Sequence, residues 1–333
     1  MVVRILVLIA CAVVSTLAGR ASAQTPIIMK MGTATVGDTQ TEWMSRFKAA
    51  VERDSKGRIA VQIYPGSQLG TIPREIEDTQ FGSIQGWVGP PEFLVGVDRR
   101  FGVLSAPGVF TSWEQATKTV LDERFRTMFL DMASAKGLKG IGLWLAGDND
   151  LFLRKPVRSI SEAKGLKIRI LAGPLQEATM RVLGATGVAM PLDQVAPALQ
   201  QGAIDGIITN LSTAAPLKYY ASAPYATRLG QPYIFSVCMI SRQWFDRLPA
   251  DLQKIIVDDG LRIARDFLPF SEAFYKKERQ AWIAGGGRII DLPPEQQKEL
   301  MSRFVTIGPT VLKDDPGALT VYKELIAARD RVK

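Results

Sequence analysis

Two stretches of this chain repeat one another at a constant offset. Gln80-Phe81-Gly82-Ser83-Ile84-Gln85-Gly86 and Gln200-Gln201-Gly202-Ala203-Ile204-Asp205-Gly206 stand 120 residues apart. In each copy a helix-like segment stops at a glycine, a short strand begins, and a second glycine leads toward a loop. That run is Trp87-Val88-Gly89-Pro90 in one copy and Ile207-Ile208-Thr209-Asn210 in the other. Glycine suits both positions on backbone grounds, as a helix stop and as a point of close approach. Chance is one reading of so short a match. The shared order of helix, strand and loop supports the other, two similar α/β lobes whose post-strand loops face each other across a cleft. Open α/β sheets bind ligands beyond the carboxyl ends of their strands, so that cleft is the expected site. The echo makes Trp87 a cleft candidate, with a core position as its alternative.

The remaining pattern keeps to the α/β class. Ile27 to Met31 reads as a strand, followed by a turn at Gly37-Asp38 and a helix with Trp43, Phe47 and Val51 on one face, closed by Gly57. Ile59, Val61 and Ile63 alternate with Ala60, Gln62 and Tyr64 at a strand period. Pro73 sits as a first-turn helix proline, and Glu75, Glu77 and Asp78 are charges suited to a helix N-terminus. A strand is expected from Ser83 to Val88. The apolar runs Gly140 to Leu145 and Pro232 to Ile240 are candidates for strands that cross between lobes. Trp244, Phe245, Leu248, Leu252, Ile255 and Ile256 form a helical core stripe, and Asp258 to Trp282 reads as helix. Gly285-Gly286-Gly287 breaks it before a short strand at Arg288 to Ile290, and Pro293-Pro294-Glu295 opens the last helices.

The N-terminus sets the compartment. Arg4 precedes the ten-residue apolar run Ile5 to Val14, and Ala21-Ser22-Ala23 precedes Gln24. This reads as a secretory signal peptide cleaved after Ala23, giving a periplasmic protein. The run is shorter than the roughly 18 apolar residues a transmembrane helix needs. Leu8-Ile9-Ala10-Cys11 also fits a lipid-attachment pattern, but little apolar sequence precedes Cys11 and the run continues past it. Without residues 1–23 the chain has 39 basic and 33 acidic residues, a balance of +6. That favours anionic small ligands or an acidic partner. No cluster of Lys and Arg interleaved with aromatics occurs, so nucleic acid is not expected as a partner. Cys238 alone remains, so no intrachain disulfide can form.

The chain has no histidine. Ser/His/Asp triads, Cys/His dyads and histidine metal sites are therefore excluded. Phosphate-loop, dinucleotide-binding and nucleophile-elbow motifs are also missing. Asp148-Asn149-Asp150 lacks the further ligands of a calcium loop. Asn210-Leu211-Ser212 fits a glycosylation pattern common by chance. Arg169 is different. In Gly165-Leu166-Lys167-Ile168-Arg169-Ile170 the apolar residues share one strand face and Lys167 and Arg169 the other, just before a turn at Ala172-Gly173-Pro174. A guanidinium there could fork onto a carboxylate, or it could serve a surface salt bridge.

Several blocks carry a family resemblance. In the first half these are Gly57-Arg58-Ile59, Tyr64-Pro65, Ser67-Gln68-Leu69-Gly70, Glu75 and Gln80-Phe81-Gly82. In the second they are Lys164 to Arg169, Leu183-Gly184-Ala185, Met190-Pro191, Ala198 to Gly206, Trp244-Phe245 and Leu248-Pro249. In this order, behind a signal peptide, they resemble the DctP-type solute-binding proteins of TRAP transporters over nearly all of the chain after residue 23. The resemblance implies a two-lobed periplasmic-binding-protein-like fold, with crossing strands and a long helix joining the lobes. Lobe I would take residues 24–147 and 236–273, and lobe II residues 148–235 and 274–333. It further implies a non-enzymatic protein that closes on a small organic anion and delivers it to one small and one large integral membrane subunit.

By the same resemblance the family's ligand-pairing arginine falls on Arg169. A second polar position upstream falls on Asn149 or Asp148, a departure from the Arg or Gln of relatives. Asn149 could donate to a carboxylate, whereas Asp148 would repel one. A polar position past the Asp205-Gly206 pair falls on Thr209, with Asn210 beside it. The glutamate and tryptophan that carry a metal in keto-acid members are replaced by Ile208 and Thr209, so metal-free, cofactor-free binding is expected. Gln231 is placed near the cleft by the resemblance. The chain is expected to act as a monomer, with a dimer left open. The rival readings are a binding component of another uptake system or of a sensor kinase, and an exported enzyme on the same scaffold.

Overall fold

The computed structural model describes residues 25–332. The expected signal segment and Cys11 lie outside the described residues. The strands are β1 (Ile27–Gly32), β2 (Ile59–Tyr64), β3 (Gly86–Gly89), β4 (Leu138–Asp148), β5 (Asp150–Leu153), β6 (Lys167–Ile170), β7 (Thr186–Ala189), β8 (Gly206–Thr209), β9 (Tyr225–Arg228), β10 (Tyr233–Ser241) and β11 (Arg288–Asp291). They form two sheets, ordered β2-β1-β3-β10-β4 and β11-β9-β5-β8-β6-β7. In the first, β1 runs parallel to β2 and β3, and β3 is antiparallel to β10. In the second, β6 runs parallel to β7 and β8, and β8 is antiparallel to β5. The two lobes thus repeat one arrangement, and the sequence echo marks its third strand in both.

The echo glycines have distinct tasks. Gly82 and Gly202 end the helices Ile72–Phe81 and Val195–Gln201 in the left-handed region, at φ 79° and 72°, where glycine carries no Cβ penalty. The N–H groups of Ser83 and Ile84 both turn back to the Asp78 carbonyl. Those residues are consumed by the helix stop, so β3 starts at Gly86 rather than at the expected Ser83. The helix Thr39–Asp54 begins at Asp38, whose Oδ1 accepts from the N–H groups of Gln40 and Thr41 at 3.0 Å each. A capping interaction of this kind is worth about 1 kcal/mol.

The core of the first lobe lies where the helices Thr39–Asp54 and Ala250–Arg265 cover its sheet. Trp43, Phe47 and Trp144 stack there, with ring centroids 5.0 and 4.9 Å from Trp43. Each fully buried side chain such as Phe47 contributes about 1.5–3 kcal/mol by leaving water. In the second lobe Phe152, Leu199, Ile207 and Trp282 form a separate buried cluster. A third cluster runs from one lobe into the other, from Trp87 and Phe101 to Leu151 and Ile168.

The expected crossing strands are β4 and β10, paired antiparallel within the first sheet. Their ends carry the chain across, β4 into β5 through Asn149 and β9 into β10. The helix expected from Asp258 to Trp282 is two helices, Ala250–Arg265 and Leu268–Ala284. Pro269 has no N–H for the Arg265 carbonyl, so the helical bonding lapses at Asp266-Phe267. The second helix packs on β4 through Ser271, whose Oγ donates to the Leu145 carbonyl at 3.1 Å, and also on β11 and on Leu211–Ala214. It therefore touches both lobes.

The C-terminal helix Pro316–Arg331 lies elsewhere than the sequence-drawn boundary assigns it. It packs on Arg99–Ser105, Trp113–Leu121 and Glu123–Asp131 of the first lobe. Arg331 donates to Asp122 at 2.6 and 3.0 Å, and Arg329 to the Val109 carbonyl at 3.2 Å. Its apolar face, with Val321, Tyr322 and Leu325, completes the cluster around Phe101 and Phe125. Among the described residues no helix is long and apolar enough to cross a membrane.

Candidate functional site

The loops after β3 and β8 do face each other. Between them lies a small cavity, lined from the first lobe by Thr35, Gln40, Ile72, Trp87, Pro90 and Phe93, among others. The second lobe contributes Arg169, Leu171, Leu192, Thr209 and Thr213, and β10 contributes Ile234.

Arg169 lies on β6, next to the edge strand of its sheet, between Val188 of β7 and Ile207 of β8. It is 2% exposed, which removes the surface salt bridge as a reading. Its Nε donates to the Met190 carbonyl at 2.9 Å, and the guanidinium carbon lies 5.9 Å from the centre of the Phe93 ring. Burial lowers its pKa to about 10, partly opposed by Tyr219 and Asp193, so it is a cation at neutral pH. Burial also pushes the Tyr219 phenol up to about 12, so that neighbour is neutral. Among the described residues no carboxylate forms an ion pair with Arg169. A buried, unpaired cation is costly unless an anion meets it. Its terminal nitrogens have the fork geometry that a carboxylate accepts.

Trp87 resolves both of its alternatives at once. It is 1% exposed within the shared cluster and also lines the cavity, and its indole Nε1 has no hydrogen-bond partner among the described residues. Thr209 stands at the carboxyl end of β8 and lines the cavity. The other sequence-named residues are near but turned to structural tasks. Asn210 caps the helix Leu211–Ala214, its Oδ1 accepting from the Thr213 N–H at 2.8 Å. Gln231 donates from Nε2 to the Phe110 carbonyl at 3.0 Å. Neither lines the cavity.

Asn149 lies at the β4–β5 crossing, where its N–H donates to the Pro232 carbonyl at 3.1 Å. Its side chain is buried without a hydrogen-bond partner and outside the cavity lining. Asp148 accepts from the Trp113 indole at 2.6 Å. Burial raises its pKa, against that hydrogen bond. Asp150 accepts from the Leu229 N–H at 3.1 Å and is pushed up to about 8 by burial and by Asp148.

Sequence reasoning missed Thr35, Gln40, Phe93, Leu171, Leu192, Thr213 and Ile234. Part of the signal was present. Gly32 pairs with Trp87 as Arg169 pairs with Ile207, so β1 and β6 are equivalent strands. The loop after β1 should then mirror the loop after β6, and Ala34 and Leu171, two residues beyond those positions, both line the cavity. The echo alone marked only the third strand of each lobe.

Among known proteins, the chain is 29% identical over 235 residues to the C4-dicarboxylate-binding periplasmic protein DctP of Rhodobacter capsulatus, covering 68% of this chain and 69% of that one. It is 27% identical to a TRAP periplasmic solute-binding protein of Ochrobactrum anthropi, solved with a C-terminus bound in the ligand-binding pocket. That match has a TM-score of 0.77 and covers 92% and 96% of the two chains. A TRAP periplasmic solute-binding protein of Desulfovibrio salexigens with bound orotic acid shares the fold, at TM-score 0.86, 21% identity and coverage of 92% and 99%. The family model of the bacterial extracellular solute-binding proteins, family 7 (DctP), matches residues 31–308, and the chain belongs to that family.

Proposed function

We propose that this chain is the solute-binding subunit of a TRAP-type secondary transporter in the periplasm. It captures a small organic anion between its lobes and passes it to one small and one large membrane subunit. The observation that carries this reading is Arg169, a buried cation with no carboxylate partner among the described residues, facing a cavity that both lobes line. A ligand that touches Trp87 and Thr35 on one side and Arg169 and Thr209 on the other makes its full set of contacts only when the lobes are shut. Binding then shifts the population toward the closed form, and the surface presented to the membrane subunits reports occupancy. No bond is made or broken. Arg169 with Thr209 would hold the carboxylate, and Trp87 would cover it from the first lobe.

The test is thermal unfolding of refolded protein against a panel of organic acids, with X-ray scattering on any acid that binds. An acid at about 100 times its dissociation constant adds about 2.7 kcal/mol of stability. The expected outcome is a rise in Tm lost in Arg169→Gln and a smaller radius of gyration with ligand. A response to neutral compounds and to no acid would sink the reading.

A further inference from the structure

The cavity carries a narrower statement about its ligand, one that rests on the reading of Arg169 as the carboxylate-holding group. Arg169 is the single charged side chain in the lining, and one guanidinium forks onto one carboxylate. The buried titratable groups on the elements that carry the opposite wall are acids. Asp38 caps the helix that carries Gln40, Glu75 lies one turn beyond Ile72, and Glu92 precedes Phe93; all three are buried. A second carboxylate at that end would lose its water and find no cation in the lining.

The walls between are mostly carbon, from Trp87, Phe93, Ile72, Leu171, Leu192 and Ile234. The few uncharged polar groups of the first lobe are partly committed. Gln40 accepts from the Thr33 hydroxyl through Oε1 at 3.0 Å, and the Thr35 hydroxyl lies 3.3 Å from that of Thr33. What remains at that end is donors, the Gln40 amide nitrogen and the unpartnered indole N–H of Trp87. Hydroxyl groups spread along a ligand body would be pressed against carbon and left unpaired.

We propose that the cavity takes a monocarboxylic acid with a compact apolar body and at most one uncharged acceptor at its far end. Arg169 grips the carboxylate, the aromatic and aliphatic walls enclose the body, and Gln40 or Trp87 donates to the acceptor. Dicarboxylates and polyhydroxylated sugar acids fit this lining poorly.

The experiment is calorimetric titration and thermal unfolding of refolded protein with phenylacetate, phenylacetamide, malate and galacturonate. Phenylacetate is expected to bind about tenfold or more tighter than malate or galacturonate, and Leu192→Ser to weaken it about tenfold, as loss of carbon contact in a pocket does. Phenylacetamide has the same shape without the charge and is expected to bind about 100-fold more weakly than phenylacetate. Tighter binding of malate or galacturonate, abolished in Arg169→Gln, would overturn this inference and leave the carboxylate reading standing. Equal binding of phenylacetamide and phenylacetate, or no response to any of the acids, would overturn both.

Discussion

The Glu75 carboxyl fills the space that a side chain on Gly32 would need: a Cβ placed on Gly32 would stand 2.7 Å from Glu75 Cδ. Gly32 is the position in the first sheet equivalent to Arg169 in the second. One lobe therefore presents a guanidinium where the other closes the gap with an acid borrowed from a neighbouring helix. Gly32→Ala is expected to cost about 1–3 kcal/mol through overpacking, read as a lower urea midpoint at unchanged slope. Glu75→Ala in the same chain should relieve part of that cost. Strict additivity of the two changes would show that the residues do not share the space.

Burial pushes Glu75 and Glu92 up to about 7 and Asp38 to about 6, and burial with the neighbouring Asp148 takes Asp150 to about 8. Each folded value lies above that of the unfolded chain. Between the two values the folded state holds the extra proton, so stability is present at the low end of the window and falls as pH rises through it. Carboxylates paired with arginine, such as Asp122 with Arg331 and Asp251 with Arg58, have lowered values and lose their contribution only on stronger acidification. The ligand-free protein is expected to melt higher at about pH 5.5 than at about pH 8. Glu75→Gln should flatten that slope, and an unchanged slope would show that Glu75 does not titrate in this window.

Arg169→Met should separate function from stability. Replacing a buried, unpaired cation by an apolar chain of similar length is neutral or stabilising for the ligand-free fold. The same change removes the carboxylate partner and is expected to weaken any acid ligand by about 100-fold or more. A Tm well below that of the parent, without ligand, would mean that the Met190 contact matters more than the burial cost.

The second glycines of the echo differ in what surrounds them. A Cβ at Gly206 would meet the Phe152 carbonyl oxygen at 2.5 Å, which is backbone, whereas at Gly86 it would meet the flexible Met31 side chain at 3.2 Å. Gly206→Ala is expected to cost about 1–3 kcal/mol and Gly86→Ala less than about 1. Denaturant unfolding of both variants decides it, and equal costs would contradict the contrast.

Much of the fold was legible because its signals are local. The face of Trp43, Phe47 and Val51 marked a helix, the alternation at Ile59 to Tyr64 a strand, and Gly82 and Gly202 two helix stops. Charge beyond a residue's own element was not legible. Glu75 read only as a charge suited to a helix N-terminus and is fully buried. Its neighbours Glu77 and Asp78 do pair with Arg74 at 3.2 and 3.0 Å. The difference is made by Gly32 of β1, which has no side chain and leaves room for the Glu75 carboxyl.

The amino-acid sequence by itself determined the two-lobed α/β class, the position of Arg169 on a strand that ends at the cleft, and the lack of histidine chemistry. Composition gives the last, the echo of Gln80 to Gly86 in Gln200 to Gly206 gives the two lobes, and periodicity with turn residues gives the strand, since it reports how a side chain stands relative to its own element. Only the tertiary structure decided that Arg169 is buried with no ion partner among the described residues, that the Asn149 side chain is buried without a hydrogen-bond partner, and that carbon dominates the cavity wall. Those depend on segments distant in the chain, Met190 and Phe93 around Arg169 and Pro232 beside Asn149, whose approach is fixed by packing between elements and by no pattern within one.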